Sequence, residues 1–453
     1  MLAGKFWDKA MKIIQSEDFN LYWKNQLTQE NDTQTETTVK EIIAAVRKDG
    51  DEAVRLYASK FDKSSPEKTE VPFCEAEASL EKLRANDPSL AEALEFSARN
   101  IMRFSRKQKE QFVNFECEME KGLVTGQRVI PVQRAAVYIP GGRFPLFSSV
   151  LMCMIPAFCA GVEEVLLSSP PDADGLPDKK TLAAAAIAAK VCGISADKLR
   201  IFSMGGAQAI AALALGTQTV PRADVIAGPG NKYVAAAKRI LFGEAGIDFI
   251  AGPTDVLIIA DNLADRDAEL IAADMIGQAE HDPDARARAL VPNMELAEKV
   301  TAAIERRLEK LPTEKTARAS LEKGGLIIVY QEKSEAIRIA NIIAPEHLEL
   351  QTEDAESWTA FLKNYGSLFI GALSSEVLGD YSAGINHTLP TSTSARFTGG
   401  LSVRHFIKTV TTLRCAPGEG FEKARNAAEI IARAEGLEGH AQSAVCRKLG
   451  DRS

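Results

Sequence analysis

The chain has 453 residues and a formal net charge of −8, with 45% hydrophobic and 26% charged residues. This composition is typical of a globular protein of two or three domains, and it excludes a disordered or collagen-like chain. The mildly acidic balance, without a basic tail or stripe, argues against nucleic acid as a partner.

The hydrophobic segments are too short to cross a membrane. The longest, residues 150–162, is interrupted by Pro156 and Gly161 and falls short of the roughly 20 apolar residues that a bilayer requires. Charges near the N-terminus predict that no signal peptide is present. The seven cysteines are an odd number without a Cys-x-x-Cys pair, which favours reduced thiols over a disulfide or thiolate–metal framework. We therefore expect a cytoplasmic protein.

The first third of the chain is polar and then helical. Residues 1–37 are a polar lead-in, and apolar residues then recur at helical spacing from Val39 to Phe61 and again from about Ala76 to Phe112. From Gln133, short apolar runs such as AAVYIPGG, VEEVLLSSPP and LRIFSMGG alternate with alanine-rich helical segments. Strands alternating with helices predict a parallel sheet covered on both faces.

The same alternation returns in DVLIIAD, ARALVPN, GGLIIVY and SLFIG, which predicts a second unit of this kind. The predicted fold is therefore α/β, with two Rossmann-like parallel-sheet units and helical N- and C-terminal segments. We expect one discontinuous unit to comprise residues 38–134 plus 254–385, and the other to comprise residues 135–253. Residues 1–37 and 386–453 are the terminal segments.

Three glycine-rich turns follow predicted strands and precede predicted helices. They are GGR at 141–143, GGAQ at 205–208 and GPGN at 228–231. Backbone amides at such helix starts bind phosphate. None completes the G-x-G-x-x-G fingerprint, so each alone favours an ordinary turn over a phosphate site. Three in one unit favour a nucleotide or another phosphate ligand.

Imidazole chemistry in this chain must draw on five histidines: His281, His347, His387, His405 and His440. Gln278 and His281 are three residues apart in a predicted helix and share a face, as two metal ligands or two substrate contacts require. A solvated helix end gives the same pair. Glu346 adjoins His347 on a turn, which suits an acid–base pair, although such dipeptides also arise by chance.

The remaining candidates lie in the last quarter of the chain. Asp380 and His387 occupy a segment rich in turn formers, which suits a binding site better than a packing role. Glu435 and His440 stand near the C-terminus, where an exposed helix end is the alternative. His405 has no obvious partner and is treated as structural. From the residues alone, we expect an α/β protein with a candidate nucleotide site and a candidate for either a mixed nitrogen–oxygen metal site or an acid–base site.

The motifs YIPGG, SSVLM, GGAQAIAALA, GPGN, GIDFIAGP, QAEHDPDA, APEHLE, GDYSAGINHTLPTS and EGLEGHAQSAV occur in this order from about residue 38 to 447. Together they resemble the histidinol dehydrogenase family. The resemblance implies an NAD-dependent homodimer with one zinc ion per subunit, which oxidises L-histidinol through L-histidinal to L-histidine in histidine biosynthesis. It also implies that the partner subunit completes each active site, so that residues 1–37 serve the dimer and residues 386–453 form a dimer-swapped segment.

The resemblance also implies a role for each site residue. The implied zinc ligands are Gln278, His281, Asp380 and His440. The implied catalytic pair is Glu346, which helps to activate water, and His347, which removes the alcohol proton. The implied NAD contacts are Tyr138, Gln208 and Asn231. The implied substrate contacts are Thr254, Gln278, His281, His347, Asp380, His387, Glu435 and His440.

Four segments depart from the family pattern. Thr254-Asp255 replaces a serine motif, GGRF carries Arg143, NYGSLFIG replaces an alanine-rich version, and LSVRHF carries Arg404 and His405. Several of these changes resemble the related sulfopropanediol dehydrogenases, and added positive charge would suit an anionic diol. Because SSVLM, GDY and APEH match the histidinol enzymes, we expect histidinol. The alternatives are a paralogous zinc and NAD dehydrogenase of another polar diol or amino alcohol, and a nucleotide-binding protein without catalysis, against which intact Glu346 and His347 argue.

Overall fold

Three sheets organise the part of the chain that the computed structural model describes, which comprises residues 11–26, 33–141, 145–250, 252–261 and 265–448. Two of these sheets have six strands each, one of them entirely parallel and the other parallel except at one edge strand, and the third has three antiparallel strands. Helices cover both faces of the two large sheets. The predicted α/β class with two Rossmann-like units is confirmed.

Helices dominate the chain before residue 112, and strand and helix alternate from residue 134 to residue 381. The elements of the first half are β1 (Lys12–Gln15), α1 (Phe19–Gln26), α2 (Thr33–Asp49), α3 (Asp51–Phe61), β2 (Glu70–Val71), α4 (Phe73–Asn86), α5 (Pro88–Lys109), β3 (Phe115–Glu120), β4 (Leu123–Pro131), β5 (Arg134–Tyr138), α6 (Ser148–Ala160), β6 (Glu164–Ser169), α7 (Lys179–Cys192), β7 (Leu199–Ser203), α8 (Gly206–Leu215), β8 (Val225–Ala227), α9 (Lys232–Leu241) and β9 (Gly246–Ile247).

The second half repeats the alternation and ends in two helices. Its elements are β10 (Asp255–Ala260), α10 (Asp265–Ala279), β11 (Arg286–Val291), α11 (Met294–Leu308), α12 (Glu314–Gly324), β12 (Leu326–Val329), α13 (Lys333–Ile343), β13 (His347–Gln351), α14 (Glu356–Thr359), β14 (Ser367–Ile370), α15 (Glu376–Tyr381), β15 (Ile407–Cys415), α16 (Glu419–Ala434) and α17 (Glu438–Val445). None of the helices in the described residues is long and apolar enough to span a bilayer.

The two large sheets have the same strand arrangement. Sheet I runs β1-β12-β11-β10-β13-β14 and sheet II runs β2-β7-β6-β5-β8-β9. If β10 is counted as strand 1 of sheet I and β5 as strand 1 of sheet II, the five strands that follow one another in each sheet lie in the spatial order 3-2-1-4-5, as in the Rossmann fold. In each sheet one extra strand, β1 or β2, pairs with strand 3. Each unit therefore has a crevice beside its first strand, where the chain switches direction across the sheet.

Helices α2–α5 lie with sheet II and strands β3 and β4 belong to the third sheet, whereas residues 38–134 were expected to group with residues 254–385. Val39 and Ile42 of α2 pack in one core with Tyr138 of β5, and β2 pairs antiparallel with β7. On the opposite face, α4 and α5 pack against α6 and α7. The physical reason is that a sheet buried on both faces needs more apolar cover than the helices between its own strands supply, and α2–α5 provide it.

The N-terminal segment contains a strand as well as the expected helix. Ile13 and Ile14 belong to β1, which pairs parallel with β12 at the edge of sheet I. Phe19 and Trp23 of α1 are buried in the core of the same sheet. Residues 1–10 and 27–32 lie outside the described residues. The segment is therefore part of the unit that contains residues 255–370.

The last seventy residues divide between a core and an arm. Val403 and Phe406 are buried beside α6 in the core of sheet II. Sheet III follows, with the order β15-β4-β3, and α16 contacts β3 and packs against α17. We call β3, β4, β15, α16 and α17 the arm. Most side chains of β3 and β15 are exposed, so the arm extends away from the cores of this chain.

Candidate functional site

The candidate site lies at the amino ends of strands in sheet I. Glu346 and His347 stand where β13 begins, and Thr254 directly precedes β10. Helix α10 runs back from the carboxyl end of β10, so its last turn returns Gln278 to the same edge, and α15 brings Asp380 there. Open α/β sheets usually bind ligands at the carboxyl ends of their strands. This site therefore occupies the opposite edge, which the sequence motifs did not reveal.

Glu346 is held by hydrogen bonds from the start of β10. Thr254 Oγ1 donates to Glu346 Oε2 at 2.5 Å, the Asp255 backbone amide donates to the same oxygen at 3.2 Å, and Asp255 Oδ1 accepts from the Glu346 amide at 3.1 Å. Burial raises the pKa of Glu346 to about 7; His347 and the Thr254 hydroxyl lower it, and Asp255 and Asp380 raise it further. A carboxyl with that pKa can hold or accept a proton near neutral pH.

Arg288 anchors this arrangement from β11. Its guanidinium donates to Asp255 Oδ2 at 3.0 Å, is 4% exposed, and lies over the ring of Trp23. Asp255 therefore uses one oxygen to bind the arginine and the other to fix the Glu346 backbone. The aspartate that departs from the family pattern is thus a structural anchor of the catalytic candidate.

His347 is buried between carboxylates. Its Nδ1 is 3.6 Å from Glu376 Oε1 and its Nε2 is 3.4 Å from Asp380 Oδ1. Burial alone would lower the pKa of His347, but Glu376, Glu346 and Asp380 outweigh it and raise the pKa well above the usual range. His347 Nε2 and Asp380 Oδ1 lack the geometry of a hydrogen bond, and neither has another partner among the described residues. Both atoms are therefore buried without a hydrogen bond, and a ligand or a cation bound between them can supply the missing interaction.

The atoms beside His347 fit a divalent cation. Ligand atoms of His281, Glu376 and Asp380 lie within 4.8 Å of one another. Gln278 Nε2 donates to Thr254 Oγ1 at 2.9 Å, which directs its Oε1 at the Glu376 carboxylate, 3.1 and 3.2 Å from the two oxygens. Facing oxygens repel unless a proton or a cation lies between them or the amide turns over. Imidazole and oxygen ligands suit zinc, so the donor set fits that ion.

Glu376 was missed by the sequence analysis. It lies in the first turn of α15, four residues before Asp380 and therefore on the same helix face. Burial raises the pKa of Glu376 well above its usual range; His347 lowers it, whereas Asp380, Glu349 and Glu346 raise it. The i, i+4 spacing of Glu376 and Asp380 is the signal that could have identified it.

His387 connects the site to sheet II. Its Nδ1 is 2.9 Å from the Asp380 carbonyl oxygen and its Nε2 is 2.9 Å from Ser149 Oγ at the start of α6. Because a carbonyl only accepts, Nδ1 donates to it and Nε2 accepts from the serine hydroxyl. Burial lowers the pKa of His387, which agrees with this neutral ring. Ser149, within the SSVLM motif, was not among the predicted site residues.

Glu435 and His440 are not brought to this site within one chain. Glu435 follows α16 and His440 lies in α17, both in the arm and both exposed. Within the described part of the chain, the group of metal-type ligands contains His281, Glu376 and Asp380 but not His440. Five of the predicted substrate or metal residues are thus assembled around His347, and these two are apart from them; the five are Thr254, Gln278, His281, Asp380 and His387.

Two of the residues that depart from the family pattern have local partners. Arg404 donates to Thr398 Oγ1 at 2.8 Å, and His405 Nδ1 lies 3.2 Å from the Ser402 amide that donates to it. Arg143, the third, lies outside the described residues. Neither Arg404 nor His405 therefore needs an anionic substrate to account for its position.

A separate cleft of about 620 Å³ opens at the carboxyl ends of strands in sheet II. Tyr138, Gln208 and Asn231, the three predicted NAD contacts, all line it. The Tyr138 hydroxyl accepts from the Gly206 amide at 3.0 Å, and burial raises the pKa of Tyr138 to about 12. Gly228 has φ +118°, and a Cβ there would be 2.1 Å from the Tyr138 carbonyl oxygen, so only glycine fits this turn. The cleft is large enough for a nucleotide.

Comparison with known proteins gives a consistent result. The profile of the family described as histidinol dehydrogenase matches residues 25–448. The chain is 45% identical over 415 residues to a histidinol dehydrogenase of Aquifex aeolicus, covering 91% of this chain and 92% of that protein. It is 45% identical over 417 residues to the Thermus thermophilus protein of the same name, covering 92% and 95%. A crystal structure of histidinol dehydrogenase from Elizabethkingia anophelis superposes with a TM-score of 0.88 at 34% identity, covering 98% and 99%.

Proposed function

The chain belongs to the histidinol dehydrogenase family, an NAD-dependent oxidoreductase family, and on that premise we propose that it oxidises L-histidinol through L-histidinal to L-histidine. The observation that carries the proposal is the buried pair Glu346 and His347 beside the ligand group of Gln278, His281 and Asp380. A proton acceptor, an activating carboxylate and a polar anchor are the parts that a two-step alcohol oxidation needs.

Each oxidation removes a hydride and a proton, and the second also consumes a water molecule. The neutral form of His347 accepts the hydroxyl proton as hydride passes to NAD, and the carboxylates that raise its pKa stabilise the resulting imidazolium. Glu346, with its pKa near 7, takes a proton from the water that attacks the aldehyde carbon. Hydride then leaves the hydrated aldehyde for a second NAD, and the carboxylate product forms.

Gln278, His281 and Asp380 would hold a zinc ion, with His440 of the partner subunit as the further ligand. When bound, zinc supplies a Lewis-acid anchor that orients the amino alcohol. Thr254 fixes both Gln278 and Glu346 through its hydroxyl, so the anchor and the activating carboxylate share one support. His387 and Glu435 are the remaining substrate contacts of the proposal, and NAD occupies the cleft at Tyr138, Gln208 and Asn231.

Two exposed surfaces support a homodimer in which the arm completes the partner's site. Beside the site, Leu373 is 83% exposed, and Val377 and Tyr381 are also exposed. On the arm, Ile430 and Ile431 are exposed near the residues that this chain leaves apart from its own site. Apolar surface of this kind is typical of an interface. The free thiols of the described cysteines suit a reducing compartment, and we place the enzyme in the cytoplasm.

A substrate screen tests this function. Zinc-loaded protein, NAD and L-histidinol should produce about two NADH per substrate consumed, measured by absorbance, and His347→Asn, which keeps the side chain's size and polarity, should lose most of the rate. Turnover of 2,3-dihydroxypropane-1-sulfonate without turnover of L-histidinol would transfer the assignment to the paralogous diol dehydrogenases. NAD binding without oxidation of either substrate would contradict an enzymatic role.

A further inference from the structure

Asp62 presents a carboxylate to the nucleotide cleft of sheet II without a cation beside it. The residue directly follows α3 and lines the cleft. Its Oδ2 accepts from Gln208 Nε2 at 3.4 Å, and a Cβ on Gly205 would be 2.7 Å from its Oδ1. No ion pair to Asp62 is formed by the described residues. The cleft thus contains an anionic group that its own surroundings do not neutralise.

The two other acidic residues that line the cleft already have partners. Asp172, which follows β6, pairs with Lys63 at 2.6 Å, and Asp178 caps α7 by accepting from the amides of Lys180 and Thr181. In Rossmann proteins the acidic residue that binds the adenosine ribose follows a strand of the unit, which is the place of Asp172 here. Because Lys63 pairs with Asp172, the carboxylate that is free to accept hydrogen bonds in this cleft is that of Asp62, at the end of α3.

We propose that Asp62 selects NAD over NADP by accepting hydrogen bonds from the adenosine ribose hydroxyls and repelling a 2′-phosphate. A hydroxyl can donate to a carboxylate, whereas a phosphate only accepts and adds negative charge. Like charges placed together in a partly buried site are strongly unfavourable. Lys63 does not neutralise the charge of the 2′-phosphate, since its ammonium group is already paired with Asp172. The proposal rests on the NAD dependence of the proposed function and adds the residue that sets it.

Burial supports this assignment, since it raises the pKa of Asp62 to about 6, with the Gly205 amide and Gln208 lowering it. At neutral pH the carboxylate is therefore mostly ionised but poorly solvated. A ligand hydroxyl replaces the missing solvation, which strengthens its hydrogen bond. The 2′-phosphate of NADP, placed beside the same carboxylate, adds charge repulsion instead of a hydrogen bond.

Calorimetric titration of the zinc-loaded enzyme with ADP-ribose and with its 2′-phosphate measures the discrimination without turnover. The wild type should bind ADP-ribose in strong preference. Asp62→Asn should weaken ADP-ribose binding by about ten- to a hundredfold, because one charged hydrogen-bond acceptor is lost, and should reduce the preference at least tenfold. The ratio of kcat/KM for NAD to that for NADP should change in parallel.

Asp178→Asn is the matched control, because it makes the same charge change in the same cleft, leaves the Lys63–Asp172 pair in place, and asparagine keeps the cap on α7. It should leave the preference for ADP-ribose over its 2′-phosphate within about twofold of the wild type. A preference that changes equally in both variants, or only in Asp178→Asn, would overturn the inference. Equal weakening of both ligands by Asp62→Asn would also overturn it, since that is the result of a structural role. These outcomes leave L-histidinol oxidation by the wild type intact, so they are separable from failure of the proposed function.

Discussion

Thr254 is a single side chain on which two parts of the candidate site depend. Its hydroxyl accepts a hydrogen bond from Gln278 Nε2 and donates one to Glu346 Oε2. Thr254→Val keeps the shape but removes the donor, so the buried carboxylate loses a hydrogen bond to a charged group, worth about 1.5–3 kcal/mol. We expect kcat/KM for L-histidinol to fall about ten- to a hundredfold.

The pH dependence follows from the same loss. Glu346 acts in its ionised form, and the Thr254 hydroxyl lowers its pKa, so removing that hydroxyl raises the pKa above about 7. The acidic limb of the kcat/KM profile for L-histidinal should therefore move to higher pH in Thr254→Val. Thr254→Ser retains the hydroxyl and is expected to keep the wild-type limb. An unchanged limb in the valine variant would show that the hydroxyl does not act on Glu346.

Sequence spacing identified some residues of the site and missed others, for a physical reason. Gln278 lies in the last turn of α10, His281 lies just beyond the end of that helix, and Glu346 adjoins His347, so local spacing was sufficient to select them although the helix predicted to include His281 ends at Ala279. Glu376 lies in α15 and acts through His347 of β13, so nothing local in the sequence identifies its carboxylate before the two elements are brought together. Motif spacing reports contacts within one element, whereas this site is assembled from four.

The turn after β8 depends on a buried ion pair between two secondary-structure elements. Lys238 of α9 pairs with Asp248, which follows β9, and its Nζ also donates to the Gly228 carbonyl at 3.0 Å. Asp248 Oδ2 accepts from the Gly228 amide at 2.8 Å. Both carboxylate and ammonium are buried, so removal of one leaves an uncompensated charge.

Lys238→Met should therefore lower the free energy of unfolding by about 3–5 kcal/mol, measured by urea denaturation. It should also weaken NADH binding, because the turn that lines the cleft loses its support. The double variant Lys238→Met with Asp248→Asn removes the second charge and should recover part of the stability. A single variant as stable as the wild type would mean that the pair contributes no net stability to this turn.

The elements themselves were largely predictable, and their partners were not. Helical spacing in α2 and α5 and short apolar runs in β5, β6 and β10 were sufficient to place strands and helices. The apolar face of α2 fits either sheet, so spacing could not show that it covers sheet II. The four residues of β1 are too few to show a strand pattern in the sequence, and only their pairing with β12 in the structure identifies them as a strand.

For the whole molecule, the separation of His440 from His347 gives a prediction about assembly. If each site takes His440 from the partner subunit, a heterodimer of a His440→Ala chain and a His347→Ala chain contains one site with both residues intact. Mixing the two inactive proteins after reversible dissociation should restore activity, up to about a quarter of the wild type if chains mix at random and each site works alone.

The matched control mixes His440→Ala with Glu346→Gln, which should complement in the same way. Mixing His347→Ala with Glu346→Gln should not, because both changes fall on the same half of the site. Activity in this last mixture, or its absence in the first two with heterodimers demonstrated by mass spectrometry, would contradict a site shared between subunits.

The placement of β1 has a consequence for how the chain folds as it is made. Sheet I takes its edge strand from residues 12–15, but the strand that it pairs with begins at residue 326. Contacts this distant in sequence are slow to form because a long loop must close first. Sheet II and its covering helices, from residue 33 to about 250, can form on the ribosome before β12, the strand that pairs with β1, has been synthesised. Residues 12–15 are therefore synthesised long before their partner strand and are among the last to reach their native contacts.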